Sequence, residues 1–175
     1  TAQQTASDSE KPVAVRVAAI RTLKLSSFED EAKRLGGLLN LQQPGEVQSA
    51  VLETLGEFPD DQVALLIVDQ WRSFSPLVRA QATETLLSRK LWILTFLTAV
   101  EDEAIARGDV SPARIELLRK HPSQEISSRT TKLFGSSSGG GQRADVVARY
   151  QVALDLEGDA ARGKAVFKKV CSACH

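Results

Sequence analysis

Methionine is absent from this 175-residue chain, and cysteine and histidine occur only twice each. With Thr1 in first place and no Met, the start reads as processed or excised, the chain as a piece of a longer protein, and no signal peptide can be judged. Both cysteines, Cys171 and Cys174, fall within the last five residues, which excludes a disulfide framework for the rest. Neither sign of charge predominates: 22 Lys and Arg balance 22 Asp and Glu, so no global field draws the chain to nucleic acid or to an anionic membrane surface. Long apolar runs are missing as well. The longest, Leu91 to Val100 (LWILTFLTAV), is about half of the ~20 residues that a membrane-crossing helix needs, and it reads as a buried helix. No run alternates with period two for long enough to suggest a sheet.

What is present is a repeat. The segments VRVAAIRTL at 15–23, VQSAVLETL at 47–55 and VRAQATETL at 78–86 are offset by 32 and 31 residues. In each, an apolar residue recurs at i, i+4 and i+8: Val15, Ala19 and Leu23, then Val47, Val51 and Leu55, then Val78, Ala82 and Leu86. That spacing keeps a stripe on one side of a helix. Each copy also carries a charge followed by Thr-Leu, at Arg21, Glu53 and Glu84. A looser fourth copy, ISSRTTKLF at 126–134, places Ile126, Thr130 and Phe134 on the stripe. Second helices are expected between the copies, at Phe28 to Leu39, Gln62 to Trp71 and Leu91 to Ile105, so that each unit is a helical hairpin. Pro12, Pro44 and Pro76 precede the repeated helices, where a missing N–H costs nothing, and Ser75-Pro76 and Ser111-Pro112 look like a cap followed by the first helical residue.

Paired helices in units of this length predict an all-α architecture, an α-solenoid in which each hairpin buries its stripe only against its neighbours; an irregular helical bundle is the alternative. Residues 10–134 resemble HEAT repeats. The domain plan is therefore a HEAT-like helical repeat domain over 1–135, a Ser/Gly linker (SSSGGG) at 136–141, and a connecting helix over 142–157 with Val147, Tyr150 and Leu154 at i, i+3 and i+7. A last segment, 158–175, follows it.

That segment carries the chemistry. Gly158 breaks the connecting helix and Asp159 is a good N-cap for the next, AARGKAVFKKV, which leads into Cys171-Ser172-Ala173-Cys174-His175. Two thiols two residues apart can reach two vinyl groups on one edge of a porphyrin, and the next side chain can place an imidazole on its iron. A zinc site would need further Cys or His ligands, and the other histidine is His121, before Pro122. A thioredoxin-like dithiol normally follows a strand, whereas here a helix precedes the motif.

The segment GDAARGKAVFKKVCSACH resembles the N-terminal helix and haem-attachment motif of class I cytochromes c, matching at Gly158, Asp159, Gly163, Lys164, Phe167, Cys171, Cys174 and His175. The resemblance implies a covalent haem c on Cys171 and Cys174, with His175 as proximal iron ligand. It also implies that Gly163 and Phe167 lie on the face that packs on a later helix of the cytochrome. A sixth ligand usually comes from a downstream Met or His, so the haem domain is expected to continue past residue 175. His121 is a weaker alternative as distal ligand, because a lone histidine at a helix end is usually solvated.

Repeats, a helix RADVVARYQVAL and this motif in series are similar to the C-terminal region of planctomycete-type multidomain proteins, in which a β-propeller dehydrogenase-like domain precedes the repeats. The resemblance implies electron transfer, a redox partner protein or an upstream dehydrogenase domain, and export to the periplasm or an equivalent compartment. No catalytic constellation is present in the chain itself. The acidic clusters Glu29-Asp30-Glu31, Asp60-Asp61 and Glu101-Asp102-Glu103 read as solvated faces and caps. Arg162, Lys164, Lys168 and Lys169 form either a docking rim or a polar helix face. Trp71 and Trp92 fall on apolar stripes and belong to the core. The face of Gly163, Val166, Phe167 and Val170 is expected to be covered, by the repeats or by self-association with a second copy, since an uncovered apolar patch is unfavourable. The competing functional reading is a protein-interaction solenoid with no redox activity.

Overall fold

The structure, a computed structural model, describes residues 1–135, 146–155 and 157–172. Among the described residues every regular element is helical and there are no strands. The chain divides into two compact units, Thr1–Gly135 and Ser136–His175.

The first unit contains α1 (Ala2–Ser7), α2 (Val13–Thr22), α3 (Phe28–Gly37), α4 (Gly45–Glu57), α5 (Gln62–Asp69), α6 (Pro76–Leu86), α7 (Lys90–Glu101), α8 (Pro112–Arg119) and α9 (Gln124–Phe134). Short 3₁₀ turns at Leu23–Leu25, Trp71–Ser73 and Arg107–Asp109 finish or join them. The starts follow the local chemistry that the sequence announces. Ser75 and Ser111 accept hydrogen bonds from the N–H groups of Val78 and Arg114, with Pro76 and Pro112 at the first helical position. Pro12 and Pro44 stand at the cap positions of α2 and α4.

Two rows of helices result. The repeated helices stack in one row, α2 on α4 and α4 on α6, while α3 packs on α5, α5 on α7 and α7 on α9 in the other. Side chains from both rows share one core, which includes Leu23, Leu35, Val51, Leu55, Ile67, Leu86, Phe96 and Val100. Trp71 and Trp92 are buried in it, as their positions on apolar stripes predict. The expected stripes are buried in α4 and α6 at all six positions. Burial of a leucine such as Leu55, with no exposed surface, stabilises by about 1.5–3 kcal/mol.

Successive units are also stitched by polar contacts at close to the repeat offset. Gln81 Nε2 donates to Ser49 O (3.2 Å) and Arg89 Nη2 to Gly56 O (3.2 Å), while Thr54 Oγ1, which donates to Ala50 O (2.8 Å), lies 3.4 Å from Ile20 O. The charge that precedes each Thr-Leu joins the set: Arg21 pairs with Glu53 (2.9 Å) and Glu84 with Arg114 (2.5 Å). Such exposed pairs contribute little stability each, ~0.2–1 kcal/mol, but they favour one register.

Three expectations for this unit are corrected. The segment 126–134 is helical but is not a fourth copy of the repeated helix. It forms α9, in the row of second helices, where Arg129 pairs with Glu101 of α7 (2.6 Å). The helix that continues toward α6 is α8, whose Arg114 meets Glu84. Thr130 is nonetheless buried, with its hydroxyl donating to Ile126 O (2.7 Å), and Phe134 is half-buried. In α2, Ala19 and Leu23 of the expected stripe are buried, but Val15 is 46% exposed, and Arg16 and Ile20 complete the buried face.

That shift has a cause in α1, an element the repeat pattern does not announce. Its packing on α2 brings Ala6 O within 3.2 Å of Arg16 Nε, while Arg16 Nη2 donates to Gln43 Oε1 (2.6 Å). Finally, Glu31 is not a solvated face. It is fully buried, accepting from Gln3 Nε2 (2.6 Å) and from Arg34 Nε (3.1 Å), and so ties α1 to α3. Its neighbours Glu29 and Asp30 are exposed.

In the second unit, residues 146–151 are helical (α10), Val152–Asp155 form a 3₁₀ turn, and α11 spans Ala160–Val170. The helical part of the connecting segment is thus shorter than 142–157 at its C-terminal side. The expected linker at 136–141 and residues 142–145 lie outside the described residues. Val147, Tyr150 and Leu154 are all exposed, so the i, i+3, i+7 stripe does not serve as a buried face in the single chain.

Candidate functional site

α11 is built as its sequence dictates. Asp159 is extended (φ −115°, ψ 106°) and its Oδ1 accepts the N–H of Arg162 at 2.9 Å, which satisfies one of the donors left over at a helix start. The N–H of Gly163 then donates to Asp159 O at 2.8 Å, the first full turn. At the other end the helix closes on its own backbone. The N–H groups of Cys171 and Ser172 both donate to Phe167 O, at 2.8 and 3.0 Å, and Ser172 Oγ donates to Lys168 O at 2.7 Å. Lys168 and Lys169 sit in this last turn, where positive charge favours the negative end of the helix dipole.

Cys171 therefore occupies the C-cap, directly after the last helical residue. It is half-buried and its thiol is in no disulfide. Cys174 and His175, the other two residues of the expected haem-binding set, lie outside the described residues, as does Ala173. The described part of the motif is a capped helix that delivers one cysteine at its end.

The face of α11 for which a cover was expected is partly exposed. Val166 is 55% exposed, Phe167 49% and Val170 70%, and a Cβ built at Gly163 would meet no atom within 4 Å. Gly163 and Phe167 lie one turn apart on that face.

His121 belongs to the first unit. Its Nδ1 accepts the backbone N–H of Ser123 at 3.0 Å, beside the start of α9, a local turn that explains a histidine at this position without an iron. Among the described residues there is no group of three or more His, Cys, Asp or Glu placed to hold a metal ion. No described helix is long and apolar enough to cross a membrane. No known family model, curated protein or solved structure matches the chain.

Proposed function

We propose that residues 158–175 are the first helix and haem-attachment segment of a class I cytochrome c domain, and that residues 1–135 are a HEAT-like α-solenoid that carries it. The protein then works in electron transfer, as part of a larger exported redox protein.

The observation that carries this reading is the placement of Cys171. A helix capped by Asp159 runs without a break to Val170 and stops at the first cysteine of C-x-x-C-H, so that the chain turns where the motif begins. The donor set fits a porphyrin better than a bare metal. Two thiols and one imidazole in five residues can bind one ring, whereas a zinc site would draw on further ligands. Cys171 and Cys174 would hold the porphyrin as thioethers at its two vinyl groups. His175 would offer a neutral imidazole nitrogen to the iron, and Ser172 would hold the helix end through its bond to Lys168 O. When bound, haem supplies the ferric/ferrous couple.

The solenoid part rests on the two rows of helices and on the hydrogen bonds and ion pairs that recur at about the repeat offset. Lys164, Lys168, Lys169 and Arg162 would form a positive docking rim for a redox partner beside the haem edge.

The test is expression with export in a host that matures c-type cytochromes, followed by haem staining after denaturation. The wild-type chain, extended to its native C-terminus, retains stain. Cys171→Ser with Cys174→Ser loses it. Stain that survives both substitutions, or none in the wild type, refutes the assignment.

A further inference from the structure

The groove between α3 and α5 is separate from the haem-attachment segment. Its floor is apolar, made by half-buried Phe28 and Leu66 and by Leu65, which is 47% exposed. Gly36 brings the two helices close at this point: a Cβ there would stand 2.8 Å from Leu66 Cδ1. Glu29, Asp60 and Asp69 line the same groove, and no Lys or Arg does.

The three carboxylates of the groove have no cation beside them. Glu53, Glu84, Glu101 and Glu116 each face an Arg or Lys, but Glu29, Asp60 and Asp69 form no ion pair among the described residues. Asp60 Oδ1 accepts the N–H of Gln62 at 2.8 Å at the start of α5, a backbone partner and not a cation. An apolar floor and three carboxylates without an ion-pair partner thus share one concave site.

We propose that this groove docks a partner protein through a segment that carries a bulky apolar residue flanked by Lys or Arg. The apolar residue removes water from Leu65, Leu66 and Phe28, and the cations answer Glu29, Asp60 and Asp69. Each half selects: an acidic segment is repelled by the rim, and a purely charged one leaves the floor wet. An anionic membrane surface is disfavoured by the same rim.

The proposal is independent of haem, and its test reads the same with or without it. The full chain is titrated, by fluorescence anisotropy, into a labelled short helical peptide with Leu at every third or fourth position and Lys between. Control peptides carry Glu in place of Lys, or Ser in place of Leu. Saturable binding of the Lys/Leu peptide, with both controls about tenfold weaker or worse, is expected. Glu29→Lys with Asp69→Lys lowers the affinity by about tenfold with the circular dichroism unchanged, and Leu65→Ser lowers it also. Equal binding of the controls overturns the proposal. So do charge reversals without effect, amide shifts that map away from α3 and α5, or a dimer that buries Leu65 and blocks the peptide, which would give the groove to a second copy.

Discussion

Replacing Asp109 by Ala removes an acceptor that two residues of earlier units share. Trp71 Nε1 donates to Asp109 Oδ2 at 3.0 Å, and Arg79 Nη1 lies 3.2 and 3.1 Å from Oδ1 and Oδ2. Trp71 is 2% exposed, so its N–H has little access to water once the carboxylate is gone, a loss of about 1–2 kcal/mol. The side chains of Arg79 and Asp109 are 30% and 24% exposed, and their ion pair is partly screened, so it adds only ~0.5–1 kcal/mol. Arg79 Nε is already buried without a partner, which gives the guanidinium no alternative tie on that side. The sum is about 2 kcal/mol for Asp109→Ala. Asp109→Asn keeps an oxygen for Trp71 and drops the charge, so it should cost about 0.5–1 kcal/mol. Urea denaturation followed by far-ultraviolet circular dichroism, with an unchanged denaturant slope, measures both. Asp109→Ala within about 0.5 kcal/mol of wild type would refute the reasoning, as would an Asn variant as unstable as the Ala one.

Other outcomes follow from the same contacts. Leu55→Ala, at a position with no exposed surface, should cost about 3 kcal/mol, and Val15→Ala, 46% exposed, less than about 0.5 kcal/mol; the same denaturation series checks both. The hydrogen bonds from Arg129 hold the Glu101 carboxyl below its ordinary value of 4.5, with the charges of Arg129 and Lys132 adding to this and slight burial opposing it. A depressed folded-state value means stability that is present above pH 4.5 and lost as the pH falls through the folded value. Glu101→Gln should therefore be less stable than wild type at neutral pH, by a few tenths of a kcal/mol for a pair this exposed, and the gap should close in acid. A gap that stays constant from pH 7 to about pH 3 would contradict that cause.

Much of the first unit is legible in the sequence because its helices solve the same packing problem. Val47, Val51, Leu55 and Val78, Ala82, Leu86 recur at one spacing since each must meet the neighbouring helices of both rows. The pattern fails where burial is not apolar. Arg16 and Glu31 are buried because Ala6, Gln43, Gln3 and Arg34 satisfy them, and these partners come from other elements that no local period can reveal. α1 escapes for a related reason: AQQTAS offers a single buried apolar residue, Ala6, and its stability rests on Thr1 and Gln4 in a reciprocal cap. The register of α9 was misleading since its Ile126, Thr130, Phe134 spacing imitates the repeated helix while its contacts are with α7.

At the candidate site, Cys171, Cys174 and His175 stand together in the chain, and their spacing is what the haem proposal is read from. Asp159 as a cap was equally readable, because the bond to Arg162 N is local. The cover of Phe167 was not, because what packs on a helix face is a matter of tertiary structure. The α3–α5 groove also left no trace, since Glu29, Asp60 and Asp69 come from separate stretches that only folding brings together.

The most direct measurement is a reduced visible absorption spectrum, paired with thiol alkylation, on protein matured in its own host and carrying whatever follows His175. The account predicts a sharp c-type α-band, iron in the purified protein, and no alkylatable thiol at Cys171 or Cys174. Two alkylated cysteines and no iron would contradict it.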